Sequence, residues 1–127
     1  MNNFEEYSKG IDNSQHLVCR KLCDCINKKL VFSQSKLYHN APVWFIDENP
    51  IVGYSKKKIG ISLLFWSGQS FNSIGLKPVG KFKAAEKIYK SIEEINEEEL
   101  YNWLDESINI QWNYKNIVHN NGKLELI

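Results

Sequence analysis

The sequence predicts an α+β fold: a two-layer sandwich in which an antiparallel β-meander sheet carries N- and C-terminal helices packed on one face. Three observations predict it. Residues 42–71, PVWFIDENPIVGYSKKKIGISLLFWSGQSF, hold three short apolar runs parted by turn residues, and each run has the length of a strand. Residues 13–30 and 96–118 each gather apolar side chains on one arc at helical spacing. A chain of 127 residues, 43% hydrophobic, can fill one core but would starve a second.

In chain order, residues 1–10 read as a flexible leader and residues 11–127 as a single domain. Asp12 and Gln15 have the spacing of a capping box, which starts a helix at about Asn13 and carries it to Leu30. On its wheel Val18, Cys19, Leu22, Cys23, Cys25, Ile26 and Leu30 oppose Arg20, Lys21, Asp24, Asn27 and Lys28. A short strand is expected over Lys36–Asn40. Within the meander, Asp47-Glu48-Asn49-Pro50 and Lys56-Lys57-Lys58 read as breaks; Ile59, Ile61, Leu63 and Phe65 point to one face, Leu64 and Trp66 to the other. Ser67-Gly68-Gln69-Ser70 opens a short helical or irregular stretch to Gly75, and Pro78 and Gly80 mark a loop. Alternation over Lys83–Ile92 favours another strand, although that segment also has helical propensity. Asn96 and Glu99 repeat the capping-box spacing, Glu97 and Glu98 suit the helix dipole, and the arc of Leu100, Trp103, Leu104, Ile108, Ile110, Trp112, Tyr114 and Val118 carries this helix to Val118. Helices on one side leave the other sheet face open, with aromatic and aliphatic groups exposed as a patch.

Sixteen basic residues against 15 acidic ones remove the long-range field of a general nucleic-acid or membrane-surface binder, and all the basic residues but Arg20 are Lys. No nucleic-acid and no membrane partner is therefore expected. No run approaches the length of a bilayer span, and the polar start MNNFEEYSKG is unlike a secretory signal, so a cytoplasmic location is expected. Cys19, Cys23 and Cys25, an odd and crowded set, suit reduced thiols.

No GxSxG, HExxH or GxGxxG motif is present, and an enzyme is not expected; Cys23 and His39 are the residual candidates for one. SGQSF could offer backbone N–H groups to an anion with Lys77, Lys81 or Lys83 nearby, against the plainer reading of a turn. His16, Cys19 and Cys23 at i, i+3, i+7 could line up for a soft metal, against burial in the core. Glu93, Glu94, Glu97, Glu98 and Glu99 could collect a hard cation, against a solvated helix start. Ser107, Gln111 and Lys115 fall inside the apolar arc of the last helix. A buried amide or ammonium needs a partner, so a pocket beneath that helix is expected, lined by Gln111, Lys115, Tyr114, Trp44 and Trp66. The leading expectation is a non-enzymatic binding module for a small ligand or protein partner, without cofactor.

Read together, Ala41-Pro42-Val43-Trp44-Phe45, Ile51-Val52-Gly53-Tyr54, Leu63-Leu64-Phe65-Trp66-Ser67-Gly68, Gly80-Lys81-Phe82-Lys83-Ala84-Ala85 and Ile110-Gln111-Trp112-Asn113-Tyr114-Lys115-Asn116-Ile117 resemble the YdhG-like family, catalogued as domain of unknown function 1801, over residues 11–119. The resemblance implies a small bacterial cytosolic α+β domain with helices at both ends. Some members are described as frataxin-like iron chaperones, which implies the alternative of iron donated to iron–sulfur or haem assembly. Here the outer arc of the first helix has Arg20, Lys21 and Lys28 against only Asp24, and Asn113 stands where the family often has Asp. Any iron would rest on Glu93–Glu99.

Overall fold

The computed structural model describes residues 13–117 and 122–127. Helix α1 spans Asn13–Lys29, followed by β1 (Gln34–Tyr38), β2 (Ala41–Ile46), β3 (Asn49–Lys57) and β4 (Gly60–Phe65). A 3-10 turn at Gly68–Ser70, the two-residue β5 (Lys77–Pro78) and β6 (Ala85–Tyr89) come next; a second 3-10 turn at Ile92–Glu94 leads into α2 (Glu97–Asn109), and a third covers Tyr114–Asn116. The expected leader and Asp12 lie outside the described residues, as do Val118 and His119.

The sheet has six antiparallel strands in the order β1-β2-β3-β4-β6-β5. Two of its hairpins turn through residues with positive φ at both central positions, His39 (51°) with Asn40 (65°) and Asp47 (49°) with Glu48 (68°). That is the backbone a two-residue type I′ hairpin needs. These turns correct two expectations. The first strand stops at Tyr38, because His39 and Asn40 form the turn. In the Asp47–Pro50 break only Asp47 and Glu48 leave the sheet, while Asn49 and Pro50 open β3. Pro50 sits opposite Phe45 beside a bulge between Trp44 and Phe45, a place where the ladder tolerates a residue without N–H. Lys56 and Lys57 likewise stay in β3, and the chain reverses at Lys58–Ile59. Gly53 has no room for a side chain: a Cβ there would lie 2.6 Å from the Pro42 carbonyl oxygen.

Both helices bury their apolar arcs against the same sheet face, as expected. Val18, Cys19, Leu22, Cys25 and Ile26 of α1 and Leu100, Trp103 and Leu104 of α2 form one core with Trp44, Val52, Tyr54, Ile61, Leu63, Phe65 and Tyr89. Lys21–Glu97 (3.4 Å) and Lys29–Asp105 (3.2 Å) bridge the two helices at its margin. In β6, Ala85 and Tyr89 enter this core, and pairing with β4 overrides the helical propensity of the segment. No helix among the described residues is long and apolar enough to cross a membrane.

The last helix is shorter than its apolar arc suggests. It starts as read, with the Asn96 side chain accepting the Glu99 N–H at 3.1 Å, but it ends at Asn109 rather than Val118. Side-chain amides take over the terminal carbonyls: Asn109 Nδ2 donates to Asp105 O and Gln111 Nε2 to Ile108 O. Beyond that point Ser67 and Ser70 claim the chain, accepting from the Trp112 N–H and indole Nε1–H, both at 2.9 Å. Trp112 then forms a bridge with Leu126.

Candidate functional site

The strand register divides the sheet residues between two faces. On the face away from the helices stand Lys36 and Tyr38 of β1, Val43 and Phe45 of β2, Pro50 and Gly53 of β3, and Leu64 of β4, followed by Trp66. This face is less bare than expected, since Val43 and Phe45 are nearly fully buried. The segment after α2 crosses to the start of β3 and closes one corner. Between it and β1 lies a groove of about 510 Å³, lined by Lys36, Tyr38, Phe45, Pro50, Trp66 and Tyr114 with Glu48, Lys115, Asn116 and Ile117.

Asn49 fixes that geometry. Although only 1% exposed, it donates to Gln111 Oε1 (3.2 Å) and to the Trp112 carbonyl (3.0 Å) and accepts the Lys115 N–H (3.1 Å). The Lys115 ammonium in turn donates to the Asp47 carbonyl at 3.0 Å. Tyr114 is held by the Lys83 N–H, which donates to its hydroxyl at 3.1 Å, and by an edge-on contact with Phe82. Burial pushes the Tyr114 phenol above its ordinary pKa, and the Lys83 hydrogen bond pulls it partly back. Across the groove, Lys36 Nζ lies 4.5 Å from the centre of the Phe45 ring, and Tyr38 meets that ring edge-on at 5.5 Å.

Three of the five predicted pocket residues, Trp66, Tyr114 and Lys115, therefore line one groove. It lies on the open side of the sheet, not beneath the C-terminal helix, because that helix ends at Asn109, before Tyr114 and Lys115. Gln111 stands behind the groove wall with its amide engaged by Asn49 and Ile108. Trp44 points the other way: it is fully buried in the core, and its Nε1–H donates to Asn27 Oδ1 at 2.7 Å. Ser107, the remaining polar member of the arc, satisfies itself on the Leu104 carbonyl. Lys36, Tyr38 and Phe45 were missed. Alternation puts Lys36 beside Tyr38 on one face of β1, but their juxtaposition with residues more than seventy positions later depends on the cross-strand register and on where α2 stops.

The SGQS segment does not form an anion nest. The Gln69 N–H donates to Lys83 O, the Ser70 N–H to Ser67 O and the Phe71 N–H to Gly68 O, so these donors are spent inside the protein. Lys81 and Lys83 lie over the Phe82 and Trp112 rings, and Lys77 is exposed on β5. Among the glutamates, Glu97 pairs with Lys21, Glu99 with Lys87 at 3.8 Å, and Glu94 accepts the Lys90 N–H, while Glu93 and Glu98 face solvent. Among the described residues no three His, Cys, Asp or Glu side chains come together in a way that could hold a metal ion. His39 occupies the tight β1–β2 turn against Tyr38.

The thiols are free and lie toward the core. Burial, reinforced by neighbouring Cys23, pushes Cys19 up to about 12 from 9.0; burial and then Asp24 raise Cys23. A buried thiol that stays protonated is a poor nucleophile. Cys19 is expected to resist iodoacetamide at neutral pH in the folded protein and to react on unfolding, as mass spectrometry of the digested protein will show. The raised pKa also fixes a sign. Stability from the neutral thiol is full below pH 9.0 and is lost as pH rises toward about 12, because the unfolded chain ionises first.

Over 93% of its length the chain is similar to the crystal structure of a DUF1801-family protein, YdhG, from Bacillus subtilis, covering 90% of that chain with a TM-score of 0.58 and 14% identity. The fold is that of YdhG. No family model and no curated protein matches the sequence. The likeness to YdhG carries no frataxin-like description.

Proposed function

We propose that this protein is a non-enzymatic binding module whose small ligand occupies the groove on the open sheet face. One observation carries the reading: a concave surface walled by Tyr38, Phe45, Trp66 and Tyr114, with three charged side chains that pair with no opposite charge among the described residues. A few placed polar groups in an aromatic cleft are what a small-molecule site needs, and no nucleophile has to be invented for it. The free thiols, with Cys19 and Cys23 held above their ordinary pKa by burial, fit the cytoplasmic setting that this reading assumes. The iron-chaperone alternative gains no support from glutamates that are paired or dispersed.

The test is an NMR titration against a library of metabolites. Trp44 serves as an internal control because it lies in the core, outside the groove. A ligand of this site is expected to move the Trp66 indole signal and the Lys115 amide while leaving the Trp44 indole in place. If every binder moves Trp44 and none moves Trp66, the groove is not the site.

A further inference from the structure

We infer that the groove takes a planar aromatic compound bearing one anionic group, its rings against Trp66 and Tyr114 and its charge between the Lys36 and Lys115 ammonium groups. The inference rests on the binding reading above and specifies its ligand.

The two ammonium groups are anchored without being neutralised. Lys115 gives one of its three N–H donors to the Asp47 carbonyl, and its backbone is pinned by Asn49, which leaves two donors at a fixed place on the groove edge. Lys36 rests over the Phe45 ring on the opposite wall. Neither forms an ion pair among the described residues. Among the described residues the only carboxylate in the lining belongs to Glu48, so these residues carry one positive charge in excess. A neutral aromatic would cover two ammonium groups and offer them nothing in exchange for water, and an aromatic cation would be repelled. A single anion restores neutrality and accepts from donors already in position, which makes its hydrogen bonds charge-assisted.

The ring requirement follows from the walls. Tyr38, Phe45, Trp66 and Tyr114 supply flat apolar surface, and Pro50 adds aliphatic surface between them. An inorganic anion would meet the lysines but leave these walls wet. A carboxylate matches the excess with its one charge; a phosphate monoester, nearly doubly charged at neutral pH, accepts from the same ammonium groups but overshoots it by about one.

Three probes with the same rings separate the possibilities: naphthoate, naphthyl phosphate and the uncharged naphthamide, each titrated while the Trp66 indole N–H signal is followed. Trp66→Phe assigns that signal. Naphthoate, naphthyl phosphate or both should shift it to saturation, with naphthamide about tenfold weaker, as the loss of one charge-assisted contact predicts. The stronger of the two anions identifies the group. Lys36→Met/Lys115→Met should bring the anions down to the level of naphthamide without changing the thermal midpoint by more than a few degrees. If naphthamide binds as well as the anions, or the double variant keeps the preference, the anion inference fails while the groove reading stands. If none of the three probes moves Trp66 while a compound of the metabolite library does, the aromatic-anion inference fails and the groove reading stands; if the library leaves Trp66 unmoved as well, both fail.

Discussion

Asn49→Ala is expected to lower stability by about 2–4 kcal/mol and, in the same step, to abolish binding at the groove. The side chain is buried and makes three hydrogen bonds to one short segment, to Gln111 Oε1, Trp112 O and Lys115 N. Truncation leaves a backbone carbonyl and a backbone N–H without their partner at a half-buried place, and each such loss costs about 1–3 kcal/mol. The 3-10 turn at Tyr114–Asn116 has little else to hold it against β3, because Tyr114 reaches toward Lys83 and Lys115 reaches back to Asp47. Asn49→Asp sharpens the argument. It keeps the acceptor for the Lys115 N–H but replaces two donated hydrogen bonds by a carboxylate facing two oxygens, so it should be at least as damaging at neutral pH and should recover partly as the carboxyl is protonated. Urea unfolding gives the stability change, and the Trp66 titration gives the binding. A loss below about 0.5 kcal/mol, the range of an ordinary surface substitution, would show that Asn49 does not anchor the segment.

How much of this was legible depended on whether a residue's fate is local. The meander could be read because Ile61, Leu63 and Phe65 alternate with Ser62 and Leu64, and a period of two is a property of neighbours. The turns were harder. His39-Asn40 and Asp47-Glu48 adopt positive φ without glycine, so nothing in their composition fixed the two-residue loop that sets the register of Lys36 against Val43. The apolar arc of the last helix misled for a related reason. Ile110, Trp112 and Tyr114 continue its period but not its backbone, since Ser67 and Ser70 take the Trp112 donors. Trp66, Tyr114 and Lys115 were thus singled out through a helix that does not reach two of them, while Trp44, chosen beside Trp66 as an aromatic, points into the core. Tertiary hydrogen bonds of this kind have no signature in a single sequence.

Trp103→Ala should cost the fold about 3–5 kcal/mol, the range for removing a buried aromatic, and yet leave the groove working in whatever protein remains folded. Trp103 is fully buried in α2, packs edge-on toward Phe65 at 6.1 Å, and donates its Nε1–H to the Ile74 carbonyl at 3.2 Å. The loop lies directly on the indole: a Cβ at Gly75 would come within 2.8 Å of Trp103 Cζ2. Truncation therefore opens a cavity between α2 and the sheet and frees that loop together. Against a total stability of about 5–15 kcal/mol for a domain, this is a loss of about a fifth or more, visible as a fall of many degrees in thermal midpoint. Trp103→Phe should recover part of it, since the ring still fills most of the space while the Ile74 carbonyl loses its donor. The contrast with Asn49 is the decisive measurement. Trp103 lies on the helix side of the sheet and Asn49 ties down the groove wall, so at low temperature Trp103→Ala should bind its groove ligand with unchanged affinity, whereas Asn49→Ala should not. Equal loss of binding in both would mean that the groove depends on global packing, not on the tether at the start of β3.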